Sequence, residues 1–149
     1  MASPNNGKVA LITGASSGIG LAIAKALYAA GYNIAVTGRD EVRLVQAYKD
    51  CDAPRILYIQ ADATSQTSYA NVVGRTIVHF KRLDVLVNNV GGGVLGKTLA
   101  ATTLEDFNLA IQFNLTSVFF TSQAAIPHLA ETKGAIINFS SILASRPVA

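Results

Sequence analysis

The spacing of the uninterrupted apolar runs constrains the fold of this chain more than any other feature. Val9-Ala10-Leu11-Ile12, Ile34-Ala35-Val36, Ile56-Leu57-Tyr58-Ile59, Val85-Leu86-Val87 and Ala135-Ile136-Ile137 are short, and a stretch of at least helical length separates most of them. A strand that is apolar on consecutive residues is apolar on both faces, as expected where helices cover both sides of a parallel sheet. After the first run, Ile19, Ala22, Ile23, Ala26, Leu27 and Ala30 recur at helical spacing until Gly31 stops the helix. Glu41 to Asp50 reads as a helix burying Leu44, Val45 and Tyr48, and Asp52-Ala53-Pro54 breaks the chain before the third run. Ser65 is placed to cap a helix carrying Tyr69, Val72, Val73, Ile77 and Phe80 on one face. Thr103 and Asp106 form a capping box for a long helical region running toward Pro127 or a little beyond. Strands and helices in turn predict an α/β doubly wound parallel sheet. Right-handed crossovers give strand order 3-2-1-4-5, with ligands at the carboxyl edge between strands one and four, where the winding reverses.

Composition narrows the class of protein. A chain of 149 residues reads as one domain over 1–149, half of it apolar, with 14% charged residues where soluble domains carry about a quarter. High hydrophobicity excludes intrinsic disorder, and a single cysteine, Cys51, excludes a disulfide scaffold. The apolar runs are far shorter than the roughly 20 residues that span a bilayer, so no membrane partner is expected. Twelve basic residues against nine acidic give a net charge of +3. The basic residues are scattered, only Lys81-Arg82 are adjacent, and no aromatic platform is interleaved, so no nucleic-acid partner is expected. Met1 to Lys8 is polar, without the apolar core of a signal peptide, and the expected address is cytoplasmic. The shortage of charge implies that part of the surface is covered by something else.

The loop after the first strand, Thr13-Gly14-Ala15-Ser16-Ser17-Gly18-Ile19-Gly20, carries three glycines between a strand and a helix. Such glycines permit a tight turn and close approach of phosphate to the backbone, and the helix N-terminus that follows offers unpaired N–H groups. Ser16 and Ser17 add hydroxyl donors. Strand two ends in Thr37-Gly38-Arg39, at the distance where dinucleotide folds read the adenosine ribose. An acid there accepts from a free 2'-hydroxyl; Gly38 and Arg39 instead suit a 2'-phosphate, which favours NADP(H) over NAD(H). Strand three ends in Asp62-Ala63, where Asp62 is either an acceptor for the adenine amino group or a turn acid before the next helix. Strand four ends in Asn88-Asn89-Val90-Gly91, whose amides both tie down loops and line a cofactor pocket.

Taken together, Thr13-Gly14-x3-Gly18-Ile19-Gly20, Asp62, Asn88-Asn89-Val90-Gly91, Phe113-Asn114-Leu115 and Asn138-Phe139-Ser140-Ser141 resemble the classical short-chain dehydrogenase/reductase family, from about Gly7 onward. The resemblance implies a Rossmann-type domain in an oxidoreductase that interconverts carbonyls and alcohols on a nicotinamide cofactor. It implies contacts to that cofactor from Gly14, Ser16, Ser17, Gly18, Ile19, Gly20, Arg39, Asp62, Ala63, Asn89 and Gly91. Two catalytic roles follow from it: Ser141 holds the substrate oxygen, and Asn114, at a kink in its helix, binds a water of the proton relay. From the residues alone, Asn114 also reads as a structural kink and Ser141 as a local backbone partner. Ser141 rather than Ser140 matches the family pattern. The substrate is a small carbonyl or alcohol, with 3-oxoacyl thioesters, steroids and small ketones all open. A homodimer or homotetramer is implied at full length, through the long helix starting near Asn108.

The chain departs from the family in one large respect. The acid/base tyrosine four residues before a lysine is expected near position 154, and no tyrosine up to Ala149 has a lysine at that spacing. A positioned general acid contributes roughly 10² to 10⁴-fold. The reading is therefore of a domain cut before strands six and seven, part of roughly 250 residues, with a non-catalytic NADP-binding or interaction module as the alternative. Val90 replaces the family's usual alanine, and Gly91-Gly92-Gly93 loosens its loop.

Overall fold

The computed structural model describes residues 5–93 and 97–142. Its elements are β1 (Val9–Ile12), α1 (Gly18–Ala29), β2 (Asn33–Gly38), α2 (Glu41–Ala47), β3 (Ile56–Gln60), α3 (Gln66–Phe80), β4 (Val85–Asn88), α4 (Leu104–Ile111), α5 (Ser117–Thr132) and β5 (Ala135–Asn138). The five strands form one parallel sheet in the order β3-β2-β1-β4-β5, as the sequence pattern requires. Consecutive residues of β1 point to opposite faces, and all four are buried. Ala10 and Ile12 join Ile34, Val36, Leu44 and Tyr48 under α1 and α2. Val9 and Leu11 join Val72, Val73, Leu86 and Leu129 under α3 and α5.

β5 differs from the other strands in that every residue of it is exposed. Apolar side chains also face outward from α4 and α5, with Phe107, Phe119 and Ile126 each more than half exposed. The low charge content thus has a location: it lies on the α4–α5 surface and at the β5 edge.

Local readings change in three places. Val45 is 43% exposed rather than buried, because α2 stops at Ala47 and Tyr48 turns inward from its C-cap. Ser65 sits at the N-cap of α3 but makes no side-chain cap bond; its hydroxyl pairs with that of Thr67 at 3.0 Å. Helix α5 runs through Pro127 to Thr132, a little beyond the proline as the pattern allows. The helix stops where Lys133 turns left-handed (φ 52°) and the Gly134 N–H returns to the Leu129 carbonyl at 2.8 Å. The long helical region divides at a π-turn over Gln112–Thr116. The Thr103–Asp106 capping box forms at the start of α4.

At the amino ends of the strands, Asp84 joins β1 to β4. Its Oδ2 accepts from the Val9 N–H at 2.8 Å and from Arg82 Nε at 2.7 Å, while Oδ1 accepts from the other arm of the guanidinium at 2.7 Å. Burial pushes the carboxyl up, but the Arg82 fork and the Val9 N–H outweigh it and hold the carboxyl below its ordinary value. Because the folded value is depressed, this stabilisation is present above the unfolded value near pH 4 and fades as pH falls through the folded one. Asp84→Ala strands the Val9 N–H and should cost about 1–3 kcal/mol near neutral pH. Urea melts across pH check it, and the gap from wild type should close in acid; a constant gap would remove the carboxylate from the account.

Candidate functional site

A cleft of about 460 Å³ opens at the carboxyl ends of β1 to β4, where the winding reverses. The loop after β1 forms its floor, and two different residues hold that loop. Thr13 Oγ1 accepts from the Asn89 N–H at 3.0 Å and the Val90 N–H at 3.2 Å. The Asn89 side-chain amide donates back to the carbonyls of Thr13 and Gly14 at 3.0 and 3.1 Å. The loop then leans on β2: the Gly14 N–H donates to Thr37 Oγ1 at 3.2 Å and the Ala15 N–H to the Thr37 carbonyl at 2.8 Å. From the far side, the buried Tyr48 hydroxyl donates to the Ala15 carbonyl at 2.7 Å, and burial raises that phenol well above its ordinary range.

The packing leaves no room for side chains at two of the glycines. A Cβ on Gly14, whose φ is +64°, would lie 2.9 Å from Val90 Cγ2. One on Gly20 would lie 2.4 Å from Asn89 Nδ2 and 2.6 Å from the Gly14 carbonyl. Ser17 stands at the N-cap of α1 without spending its hydroxyl on the helix, and no acid occupies the first turn. The helix therefore presents its amino end, with its orphan N–H groups, to the floor of the cleft.

Gly38 ends β2 so close to this loop that its Cβ would lie 3.3 Å from Ser16 Cβ. Ser16 and the exposed Arg39 thus share one corner of the cleft. The Arg39 carbonyl accepts from Gln60 Nε2 at 3.0 Å, and the residue is exposed at the rim of the cleft. Asp62 borders the same corner. Its Oδ1 accepts from the Thr64 N–H at 2.9 Å and the Thr64 hydroxyl at 2.8 Å. Those bonds lower its pKa, with a smaller contribution from Arg39, so it stays a carboxylate. A narrow glycine floor under a helix amino end, bordered by two serines, an arginine and a carboxylate, has the chemistry to receive a dinucleotide.

Residues 8–149 match the family model for short chain dehydrogenase. The chain belongs to the short-chain dehydrogenase family. A Streptomyces violaceoruber protein named as a ketoacyl reductase of the granaticin polyketide synthase is 39% identical over 143 residues, covering 93% of this chain and 57% of its own length. The structure of a Brucella melitensis 3-ketoacyl-(acyl-carrier-protein) reductase complexed with NADH superposes with a TM-score of 0.89 at 29% identity, over 98% of this chain and 61% of that one. The Thermococcus sibiricus alcohol dehydrogenase complexed with 5-hydroxy-NADP superposes with a TM-score of 0.87 at 33% identity, over 95% and 61%. The chain spans about half the length of the curated relatives it matches. Among the described residues, no helix is long and apolar enough to cross a membrane.

Within this short-chain dehydrogenase scaffold, Gly14, Ser16, Ser17, Arg39, Asp62, Ala63, Asn89 and Gly91 all line the one cleft. Gly18, Ile19 and Gly20 are outside that lining, at the start of α1, where Ile19 is 62% exposed. Asn114 also lies outside the lining, on the π-turn. Its amide donates to the carbonyls of Gly92 and, at 2.8 Å, Ala110, and its Oδ1 accepts from the Gly92 N–H at 3.2 Å. The Phe113 carbonyl left by the widened turn is taken by the Ser117 hydroxyl at 2.7 Å. Ser141 follows β5, exposed and outside the lining. Asn88 ties β4 to its neighbours, donating to Ser122 Oγ at 3.0 Å and Asn138 Oδ1 at 2.8 Å.

Sequence reasoning passed over Thr37, Tyr48 and Gln112, which brace the cleft. Thr37 had a signal, a polar residue at the end of an apolar strand beside Gly38. Tyr48 and Gln112 had none, since their partners lie far along the chain.

Proposed function

We propose that this chain supplies the cofactor cleft of an NADP(H)-dependent oxidoreductase that interconverts a carbonyl and an alcohol, of 3-oxoacyl or small-ketone type. The observation carrying the NADP preference is the corner formed by Gly38, Ser16 and Arg39 at the end of β2. A carboxylate there would repel a 2'-phosphate; a glycine leaves space, and the Arg39 fork and Ser16 hydroxyl donate to it. The pyrophosphate belongs on the Gly14–Gly20 loop, over the amino end of α1, and Asp62 accepts from the adenine. When bound, the nicotinamide supplies or takes the hydride. On the nicotinamide side Asn89 keeps the loop floor in place, while Gly91 borders the cleft. In this reading Asn114 holds the relay water at the π-turn and Ser141 holds the substrate oxygen.

Outward Phe107 and Phe119 support a homodimer or homotetramer built on α4 and α5, and the lone Cys51 suits a cytoplasmic address. The alternative reading is a non-catalytic NADP-binding module. The two separate in one assay: NADPH binding with turnover of ketone substrates supports the first, and binding without turnover supports the second.

Titration with NADPH and NADH tests the cofactor. Arg39→Ala should weaken NADPH by about 10- to 100-fold, the range of a hydrogen bond to a charged group, and leave NADH within twofold. An unchanged preference would overturn the role of Arg39.

A further inference from the structure

The π-turn carries a second amide besides Asn114. Gln112 and Asn114 are two residues apart, and on a helix that spacing sends side chains in roughly opposite directions. Asn114 reaches the Gly92 backbone in the loop after β4. Gln112 Nε2 reaches the Thr64 carbonyl in the loop after β3. Phe113, between them, lines the cleft, and its ring lies 3.5 Å from where a Gly92 Cβ would be.

The loop held by Gln112 is the one that places Asp62. Thr64 donates both its N–H and its hydroxyl to the Asp62 carboxylate, so a bond that fixes the Thr64 carbonyl fixes the group that orients Asp62. A second brace acts on the same loop: the Tyr69 hydroxyl donates to the Ala63 carbonyl at 3.0 Å, and the Tyr69 ring stacks on Phe120 of α5 with centroids 6.1 Å apart. Gln112 is not itself in the cleft lining.

We propose that Gln112 is a positioning residue for the adenine end of the cofactor, acting through Thr64 on Asp62, and that the Gln112-Phe113-Asn114 turn sets the two edges of the cleft from one element. This inference rests on the dinucleotide reading of the cleft. It assigns specificity for the adenosine half to a residue on the helix that carries Asn114.

The test uses the full chain and three probes: NADPH, adenosine 2',5'-bisphosphate for the adenine half, and nicotinamide mononucleotide for the other, each followed by ligand-observed NMR or calorimetry. Gln112→Met keeps the length and removes the donor. Affinity for adenosine 2',5'-bisphosphate should fall about three- to tenfold, the worth of one neutral hydrogen bond, while nicotinamide mononucleotide stays within twofold. Tyr69→Phe removes the other brace on the same loop and should shift the same half in the same direction; it carries the test if Gln112→Met does not fold. Both halves weakening alike would show a general loss of structure and overturn the proposal, as would unchanged affinity for the adenine probe in both variants. A wild-type chain that binds none of the three probes removes the nucleotide reading and this inference with it. A wild type that binds, with variants that behave like it, removes the inference alone.

Discussion

Gly20→Ala is expected to abolish dinucleotide binding. The added Cβ would sit 2.6 Å from the Gly14 carbonyl and 2.4 Å from Asn89 Nδ2, and neither is the free end of a flexible chain. Asn89 is held by its two bonds to the loop, and the Gly14 carbonyl is one of the acceptors of those bonds. Moving either one releases the turn that forms the proposed phosphate site. The strain of an overfilled site is typically about 1–3 kcal/mol, so the variant should fold with lower stability and show no thermal shift on adding NADPH. Circular dichroism and a fluorescence titration check both. Binding within threefold of wild type would show that the glycine loop is not the phosphate site.

The second large effect is expected from Asn89→Asp. Asparagine donates from Nδ2 to two carbonyl oxygens, at 3.0 and 3.1 Å; an aspartate puts a negative oxygen against the same two acceptors. Both bonds are lost, a negative oxygen is set against carbonyl oxygens, and an anion is placed beside the proposed pyrophosphate site. Asn89→Ala loses only the two bonds and should cost about tenfold in NADPH affinity, whereas Asn89→Asp should cost at least about 100-fold. The sign of the pH dependence follows. Facing acceptors raises the introduced carboxyl, and its protonated form can donate once, so binding by Asn89→Asp should recover partly as pH falls. Equal affinities for the alanine and aspartate variants would show that Asn89 does not face the loop through its donor.

The two variants act on groups of unequal legibility. Gly20 is readable as a phosphate-loop glycine from its place between strand and helix. The bond geometry of Asn89 is not, because it depends on β4 ending beside β1 although 76 residues separate Asn89 from Thr13. The same holds for Gln112 and Thr64, 48 residues apart, and for Tyr48 and Ala15, 33 apart. Local readings erred where a side chain had a choice of partner. Ser65 has the right type for a cap but pairs with Thr67, and Val45 has the right spacing for the core but lies on the outer side of a helix shorter than its pattern.

The sequence by itself determined the element order, the parallel sheet and the edge where a ligand belongs, because apolar runs, glycine turns and crossover handedness are local or follow from a general rule. It also placed glycines, serines and Arg39 on loops at one sheet edge. Only the tertiary structure decided how those loops hold one another: Thr13 and Asn89 locked across β1 and β4, Thr37 and Tyr48 bracing the floor, and a π-turn reaching both rims. These are single bonds between side chains and distant backbone, whose partners are chosen by the packing of the sheet and not by neighbouring residues.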